Sequence, residues 1–359
     1  MTASSNIETF LVDNLLKNSY QTWQQLKAVV SVAHKNFFTQ LKDTLFPTED
    51  NQLIPLTPEV FKILQERFSQ ITEEDWQDAK QGVYPYEILF DGDVGYFLSN
   101  YVKLLWDHPL AWYRVQQKNF IDLPTNIDLE KYPQYYRRNF HYQTDGYLSD
   151  NSAQIYDLQV EILFSGIADA MRRRILKPLK EKLPRFSQDT KILDVACGTG
   201  RTLKLLRATF PDASLYGIDL SSAYLREANR YLLSQFPEEL PQLMEGKGEA
   251  MPYQDNYFQA ISNVFLFHEL PKPIRKQVIE ESYRVLQPGG VMVICDSIQL
   301  SDSPELEVMM GNFPRAYHEP FYNDYINDNM EEHLEKSGFH VESVNIHAFS
   351  KYWVATKSF

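Results

Sequence analysis

Two groups of residues in this chain have types and spacings that suit chemistry. The first is the turn Ala196-Cys-Gly-Thr-Gly200, which follows an apolar run over residues 192–195 and precedes a helical pattern over 201–210. A strand that ends in a tight glycine turn brings backbone N–H groups and a helix N-terminus to one spot, a geometry that suits a nucleotide-like ligand. The second is a pair of His-Glu dipeptides: His268-Glu269 within Phe265-Leu-Phe-His-Glu-Leu-Pro271, and His318-Glu319 within Phe313-Pro-Arg-Ala-Tyr-His-Glu-Pro-Phe-Tyr322. An imidazole beside a carboxylate can move a proton or position a substrate, and Asp296, at the end of an apolar run, is a third candidate for that work. Neither dipeptide has HExxH spacing, so the sequence implies no metal. Cys197 and Cys295 are far apart, and no nearby charge would lower a thiol pKa, so both read as small apolar fillers.

The identity of the nucleotide turns on two positions. A dinucleotide turn of the form GxGxxG needs a third glycine, and Leu203 stands there. Asp194 precedes the turn, where a carboxylate would repel a pyrophosphate but attract the cationic amino-acid end of S-adenosylmethionine. At an effective dielectric near 20, opposite charges about 4 Å apart interact by about 4 kcal/mol. On this argument a nicotinamide-dependent oxidoreductase is the weaker reading.

These residues are carried by a regular alternation. Strands are expected over 192–195, 214–219, 242–247, 258–263, 291–296, 339–347 and 351–356, with helices between them, including one capped by Ser221 or Ser222 and a last one over 325–337. The pattern is that of an α/β protein: a doubly wound, seven-stranded, mostly parallel sheet, with ligands beyond the carboxyl ends of its strands. Ahead of it lies an α-helical domain, residues 1–135, joined by a bridging region, 136–190, to a cofactor domain, 191–359. In the first part, Leu26, Val30, Ala33, Phe37, Leu41 and Leu45 form one apolar helical face, which reads as buried. Thr57-Pro58 starts a second helix and Thr72-Glu-Glu-Asp75 has the capping-box spacing of a third. Beyond Gln81 the chain is dense in aromatic residues, and Pro85, Gly92, Gly95 and Pro109 should break it into short pieces. These rings make either the core of a helical domain or an aromatic lid over a planar or apolar substrate. Asp150-Asn-Ser-Ala caps a bridging helix; either Tyr147 and Tyr156 near it close over a ligand, or these two with His141 lock an interface. Arg172-Arg173-Arg174 reads as a solvated face.

Composition sets the outer limits. The 359 residues are 43% hydrophobic and 23% charged, enough to bury a sizeable core, and the formal net charge of −13 argues against a nucleic-acid partner. No apolar run reaches the ~18 residues of a membrane span. No secretory leader is visible, so a cytoplasmic protein is expected. Nothing in the sequence speaks to oligomeric state.

The segment Leu193-Asp-Val-Ala-Cys-Gly-Thr-Gly200 resembles motif I of the class I S-adenosylmethionine-dependent methyltransferases. Gly217-Ile-Asp-Leu-Ser221, Gly248-Glu-Ala-Met-Pro252 with Phe258, and Arg284-Val-Leu-Gln-Pro-Gly-Gly290 follow in that family's order. The resemblance covers residues 150–359 and is to the small-molecule branch that includes quinone-ring methyltransferases. The long N-terminal extension lies outside that common core. It implies a Rossmann-like methyltransferase fold and S-adenosylmethionine as cofactor. Asp194, Ala196, Cys197, Gly198, Thr199 and Gly200 would line the donor, and Asp219, with Leu220 beside it, would accept from both ribose hydroxyls. Glu249 would take the adenine amino group with Ala250 and Met251 beside the ring, while Asn263 and Tyr156 would face the methionine end. The expected activity is in-line methyl transfer to a small, apolar or aromatic acceptor, with His318, Glu319, His268 and Asp296 as the catalytic candidates. The alternative is a scaffold that binds the cofactor without turnover.

Overall fold

The computed structural model describes residues 2–47, 53–90, 94–183 and 185–358. Six helices come first: α1 (Thr2–Leu45), α2 (Pro58–Lys80), α3 (Val94–Gln117), α4 (Asp150–Leu163), α5 (Ala168–Arg173) and α6 (Leu176–Lys182). Then β1 (Lys191–Val195), α7 (Arg201–Thr209), β2 (Ser214–Asp219), α8 (Ser222–Gln235), β3 (Gln242–Glu245), β4 (Phe258–Val264), α9 (Lys272–Val285) and β5 (Leu286–Ser297) alternate. The helices α10 (Glu307–Ala316), α11 (Tyr322–Tyr325) and α12 (Met330–Lys336) precede β6 (Phe339–His347) and β7 (Ser350–Lys357).

The seven strands form one sheet in the order β3-β2-β1-β4-β5-β7-β6, and β7 pairs antiparallel with both its neighbours while the other pairings are parallel. The expected doubly wound, mostly parallel α/β sheet is present. Strand order reverses between β1 and β4, so the loops leaving those two strands diverge and open a crevice at their carboxyl ends. Apolar cores lie on both faces of the sheet: Val195, Ile261 and Ile294 belong to one, Ile192, Val291 and Val293 to the other. Tyr20, Trp76 and Tyr84 from the N-terminal helices join that second core beside Leu176 and Leu203. The aromatic residues there are continuous with the core of the sheet.

Five local expectations are corrected. The apolar face of α1 points outward, with Leu26, Val30, Phe37 and Leu45 each more than two-fifths exposed, whereas Tyr20, Gln24, Ser31 and His34 face inward. That inner side is fixed by polar partners, including Tyr20 on Asp75, His34 on Tyr101 and Lys27 on Glu161, and these outweigh a simple apolar stripe. Helix α2 runs through Thr72, whose hydroxyl bonds back to the Phe68 and Ser69 carbonyls instead of capping a new helix. Helix α3 continues through Pro109 rather than breaking into pieces. Arg172 and Arg173 are buried, not solvated, because acidic groups wait for them inside. The expected last helix, 325–337, is two short ones, α11 and α12. Thr57 does cap α2, its hydroxyl accepting from the Val60 N–H, and Ser221 caps α8 through the Tyr224 N–H.

Candidate functional site

The turn after β1 is held by β2. The Cys197 N–H donates to the Ile218 carbonyl, and the Gly198 N–H donates to Asp219 Oδ2 at 2.8 Å. The other oxygen of Asp219 accepts from the Ser221 N–H at 2.8 Å. Gly198 has φ +53°, and a Cβ built there would meet nothing closer than the Tyr224 ring at 4.0 Å, so its open side is the crevice. Gly200 does different work from that expected. A Cβ there would lie 3.0 Å from Leu232 and 3.2 Å from Ala228, so this glycine lets α7 pack on α8 and does not line the cleft. Leu203 fits in place of a third glycine because the close approach has moved to the strand: a Cβ on Gly217 would be 2.8 Å from the Leu203 side chain.

The cleft is walled by Ala196, Cys197, Gly198 and Thr199 from the turn, by Asp219 at the end of β2 with Leu220 after it, and by Glu249 from the loop after β3. Tyr147 and Tyr156 close it from the bridge, joined by Tyr135, Tyr136 and Tyr224, which the sequence reading did not single out. Burial pushes the phenols of Tyr136, Tyr147, Tyr156 and Tyr224 up, so they stay protonated donors. Tyr147 donates to Glu269 Oε1 at 2.7 Å, Tyr135 to Glu249 Oε1 at 2.8 Å, and Thr199 to Asp157 Oδ1 at 2.8 Å. Asp157, Asp219, Glu249 and Glu269 thus give the cleft four carboxyl groups, of which Asp157 and the cleft role of Glu269 had no motif to announce them. Burial lifts Asp219 to about 6 despite its two backbone donors.

Several expected ligand residues lie elsewhere. Asp194 sits beneath the turn, 1% exposed, where Ser262 Oγ donates to it at 2.7 Å and burial pushes its carboxyl up to about 7. It lies behind the cleft wall rather than in it, and the carboxyl groups that line the cleft near the turn are Asp157 and Glu269. The Asn263 amide donates to the Val195 carbonyl, tying β4 to β1. Met251 is in the core, its N–H held by Glu281 and its carbonyl by Arg284, and Ala250 is exposed after a bridge to Lys247.

A second cavity of about 930 Å³ lies between α1, α2, α4 and α10. Its walls are mostly apolar, including Val32, Leu64, Phe68, Val160, Leu163 and Met310, and it abuts the first cleft: Tyr156, Phe265 and Glu269 line both. Phe265, in the left-handed region at φ +58°, stacks on Phe164 with centroids 5.5 Å apart. A bulky side chain at positive φ is strained, and such strain persists only where the surroundings impose it.

The two His-Glu pairs part company. His268 lines the chamber, and its Nδ1 is 2.7 Å from Asp296 Oδ1, while the other Asp296 oxygen accepts from the Leu266 and Phe267 N–H groups. Asp296 is buried behind the ring and lines neither cavity. Burial opposes the His268 charge, but Asp296 overcomes it and carries the imidazole up to about 9. At neutral pH it is a cationic donor, not a free base. His318 lines neither cavity; it stacks on Phe120 with centroids 4.4 Å apart, and burial together with the Arg138 charge pulls it down to about 4. Glu319 is fully buried and approaches His141, its Oε1 3.0 Å from His141 Nε2. His318 and Glu319 therefore do not act as one pair.

Comparison with known proteins bears on the same turn and strands. Residues 192–290 match the family model described as a methyltransferase domain. A demethylmenaquinone methyltransferase of Lactobacillus johnsonii is 30% identical to the chain over 145 residues, covering 40% of this chain and 57% of that protein. The one from Thermotoga maritima is 32% identical over 149 residues, covering 42% and 59%. The chain thus spans less than two thirds of the length of these relatives. A SAM-dependent methyltransferase from Aquifex aeolicus, known by crystal structure, is 22% identical with a TM-score of 0.37 and covers 50% of this chain and 88% of its own. The matched segment runs from β1 to the turn inside β5, so it includes the glycine turn, Asp219, Glu249 and the His268-Glu269 pair. The N-terminal helices that wall the apolar chamber lie outside it.

Proposed function

We propose that the chain transfers a methyl group from S-adenosylmethionine to a small acceptor with an apolar body, and that the acceptor lies in the chamber. The observation that carries this reading is the common wall. A polar cleft at the sheet's switch point and a large apolar chamber meet at Tyr156, Phe265 and Glu269, as a donor site and an acceptor site must.

The cleft residues fit the donor. Asp219 offers carboxylate oxygens to ribose hydroxyls, Gly198 leaves room for close backbone approach, and Asp157 and Glu269 offer negative charge to the cationic amino-acid end. Glu249 accepts from an adenine amino group once Tyr135 releases it. The cleft measures about 120 Å³, below the roughly 300–1,000 Å³ of sites for drug-sized ligands, so the tyrosine wall has to shift for the donor to enter. When bound, the sulfonium supplies an already activated methyl group. The protein's part is alignment and exclusion of water, and positioning of this kind accounts for roughly 7–11 kcal/mol of barrier in favourable cases. Phe265 and Tyr156 limit the opening between the two cavities, and the His268 imidazolium, fixed by Asp296, can donate a hydrogen bond to an acceptor oxygen. The quinone methyltransferases among the relatives support a planar ring as the acceptor's head.

Calorimetry with S-adenosylmethionine on wild type and Asp219→Ala, followed by transfer of labelled methyl to quinols of differing tail length, tests this reading. It is lost if the wild type does not bind the donor, or if both proteins bind it equally.

A further inference from the structure

The junction of the two cavities holds a group of side chains that the methyl-transfer reading leaves unexplained. His141, Glu269 and Glu319 come from three distant parts of the chain, yet each offers one ligand atom within 4.8 Å of the other two. His141 Nε2 is 3.0 Å from Glu319 Oε1 and 3.9 Å from Glu269 Oε1. The Glu319 side chain is 0% exposed, and neither of its oxygens has a hydrogen-bond partner. A buried carboxylate is expensive unless hydrogen-bonded or paired, and the close approach of His141 does not supply an aligned bond. His268 and Asp296 adjoin the group.

We infer that His141, Glu269 and Glu319 form a site for a divalent cation of the manganese, iron or zinc type. One imidazole with two carboxylates is a mixed N,O donor set that suits such ions. Metal–ligand distances of about 2.0–2.2 Å place neighbouring ligand atoms roughly 3 Å apart, close to the His141–Glu319 separation, and a small contraction brings Glu269 in. The ion would sit between His141 Nε2 and the Glu319 carboxylate and satisfy both orphaned oxygens. Tyr147, donating to Glu269 at 2.7 Å, orients that carboxylate in the manner of groups that support metal ligands. Because His141 and Glu269 also line the chamber, the remaining coordination positions would face an acceptor oxygen. That last role rests on the proposed function; the site itself does not.

The test uses the full chain, stripped of metal and without donor or acceptor. Titration with manganese(II), followed by loss of the free-ion electron paramagnetic resonance signal, should show one ion bound per chain at submillimolar concentration. Glu319→Gln and Glu269→Gln should each weaken binding roughly ten- to hundredfold, with unchanged circular dichroism. Should either variant fail to fold, electron spin echo modulation of the wild-type complex must still show coupling to an imidazole nitrogen. Absence of binding at 1 mM, wild-type affinity in folded variants, or absence of nitrogen coupling overturns the inference. Donor binding measured on the same preparation is a separate readout, so failure of the metal site and failure of the methyl-transfer reading are told apart.

Discussion

The guanidinium of Arg173 and the carboxylate of Asp75 face each other with 2% and 0% of their side chains exposed, Nη2 to Oδ2 at 2.6 Å and Nε to Oδ1 at 2.9 Å. Tyr84 donates to the same carboxylate at 2.6 Å, Tyr20 donates to it as well, and the Ile88 carbonyl takes another Arg173 N–H. The cluster joins α1, α2 and the segment after α2 to α5, so it fastens the N-terminal helices to the sheet. Removing one partner leaves the other charged and buried, at a cost of about 3–5 kcal/mol. Asp75→Ala should lose about that much stability in urea unfolding. The pair replaced together, Asp75→Leu with Arg173→Met, should lose less than either single change. Independent melting of the N-terminal helices in Asp75→Ala, with the sheet untouched, would contradict the shared core.

These residues also show where the sequence was readable. The cofactor half announced itself: its strands lie near the expected positions because Val, Ile and Leu runs end at Gly, Asp or Asn, and the turn 196–200 with Asp219 follows from that order. What could not be read was which partner each polar side chain would find. Asp75 had the spacing of a helix cap, and Arg172 and Arg173 had the look of a solvated run, because the groups that satisfy them lie up to 98 positions away. Asp194 failed for the same reason, since Ser262 reaches it from β4. His141 and Glu319 carry no local signal of their meeting. The exposed stripe of α1 shows that helical periodicity marks a face but not the side on which the core lies.

Donor binding should depend on pH through Asp219. Its folded pKa, about 6, lies above the ordinary 3.8 because burial opposes its charge. By linkage, the stability this group contributes is fully present below pH ~3.8 and is lost as pH rises through about 6. Acceptance of two ribose hydroxyls has the opposite preference, because it favours the ionised form. Affinity for S-adenosylmethionine should therefore increase as pH rises from 5 to 7 and level off above. Asp219→Asn should bind weakly and lose that slope. Isothermal titration across the range decides it, and an unchanged slope in Asp219→Asn would assign the titration to another group.

Tyr135 holds Glu249 through a 2.8 Å hydrogen bond that has to open before an adenine amino group can take its place. A hydrogen bond to a charged group contributes about 1.5–3 kcal/mol. Tyr135→Phe removes the competing donor, so donor affinity should rise about tenfold or more, with a faster association rate in stopped flow. Glu249→Gln should weaken binding in either background. A lower affinity in Tyr135→Phe would mean that the hydroxyl contacts the donor and belongs to its site.

The chamber predicts a division between two kinds of acceptor. Val160, on α4, lines it and is 7% exposed, and at about 930 Å³ there is room beside it for a larger side chain. Val160→Trp should fill the space an apolar tail would occupy without touching the donor cleft, whose walls do not include this residue. Each buried CH₂ of a tail contributes about 0.8 kcal/mol, so displacing two or three of them raises KM for a long-tailed acceptor roughly ten- to fiftyfold. A short-tailed acceptor with the same ring should keep its KM, and calorimetry should show unchanged affinity for S-adenosylmethionine. Steady-state rates with the two acceptors make the comparison. Equal losses for both would place the acceptor's ring, not its tail, beside Val160 and would reverse the orientation in which the head meets Phe265 and Glu269.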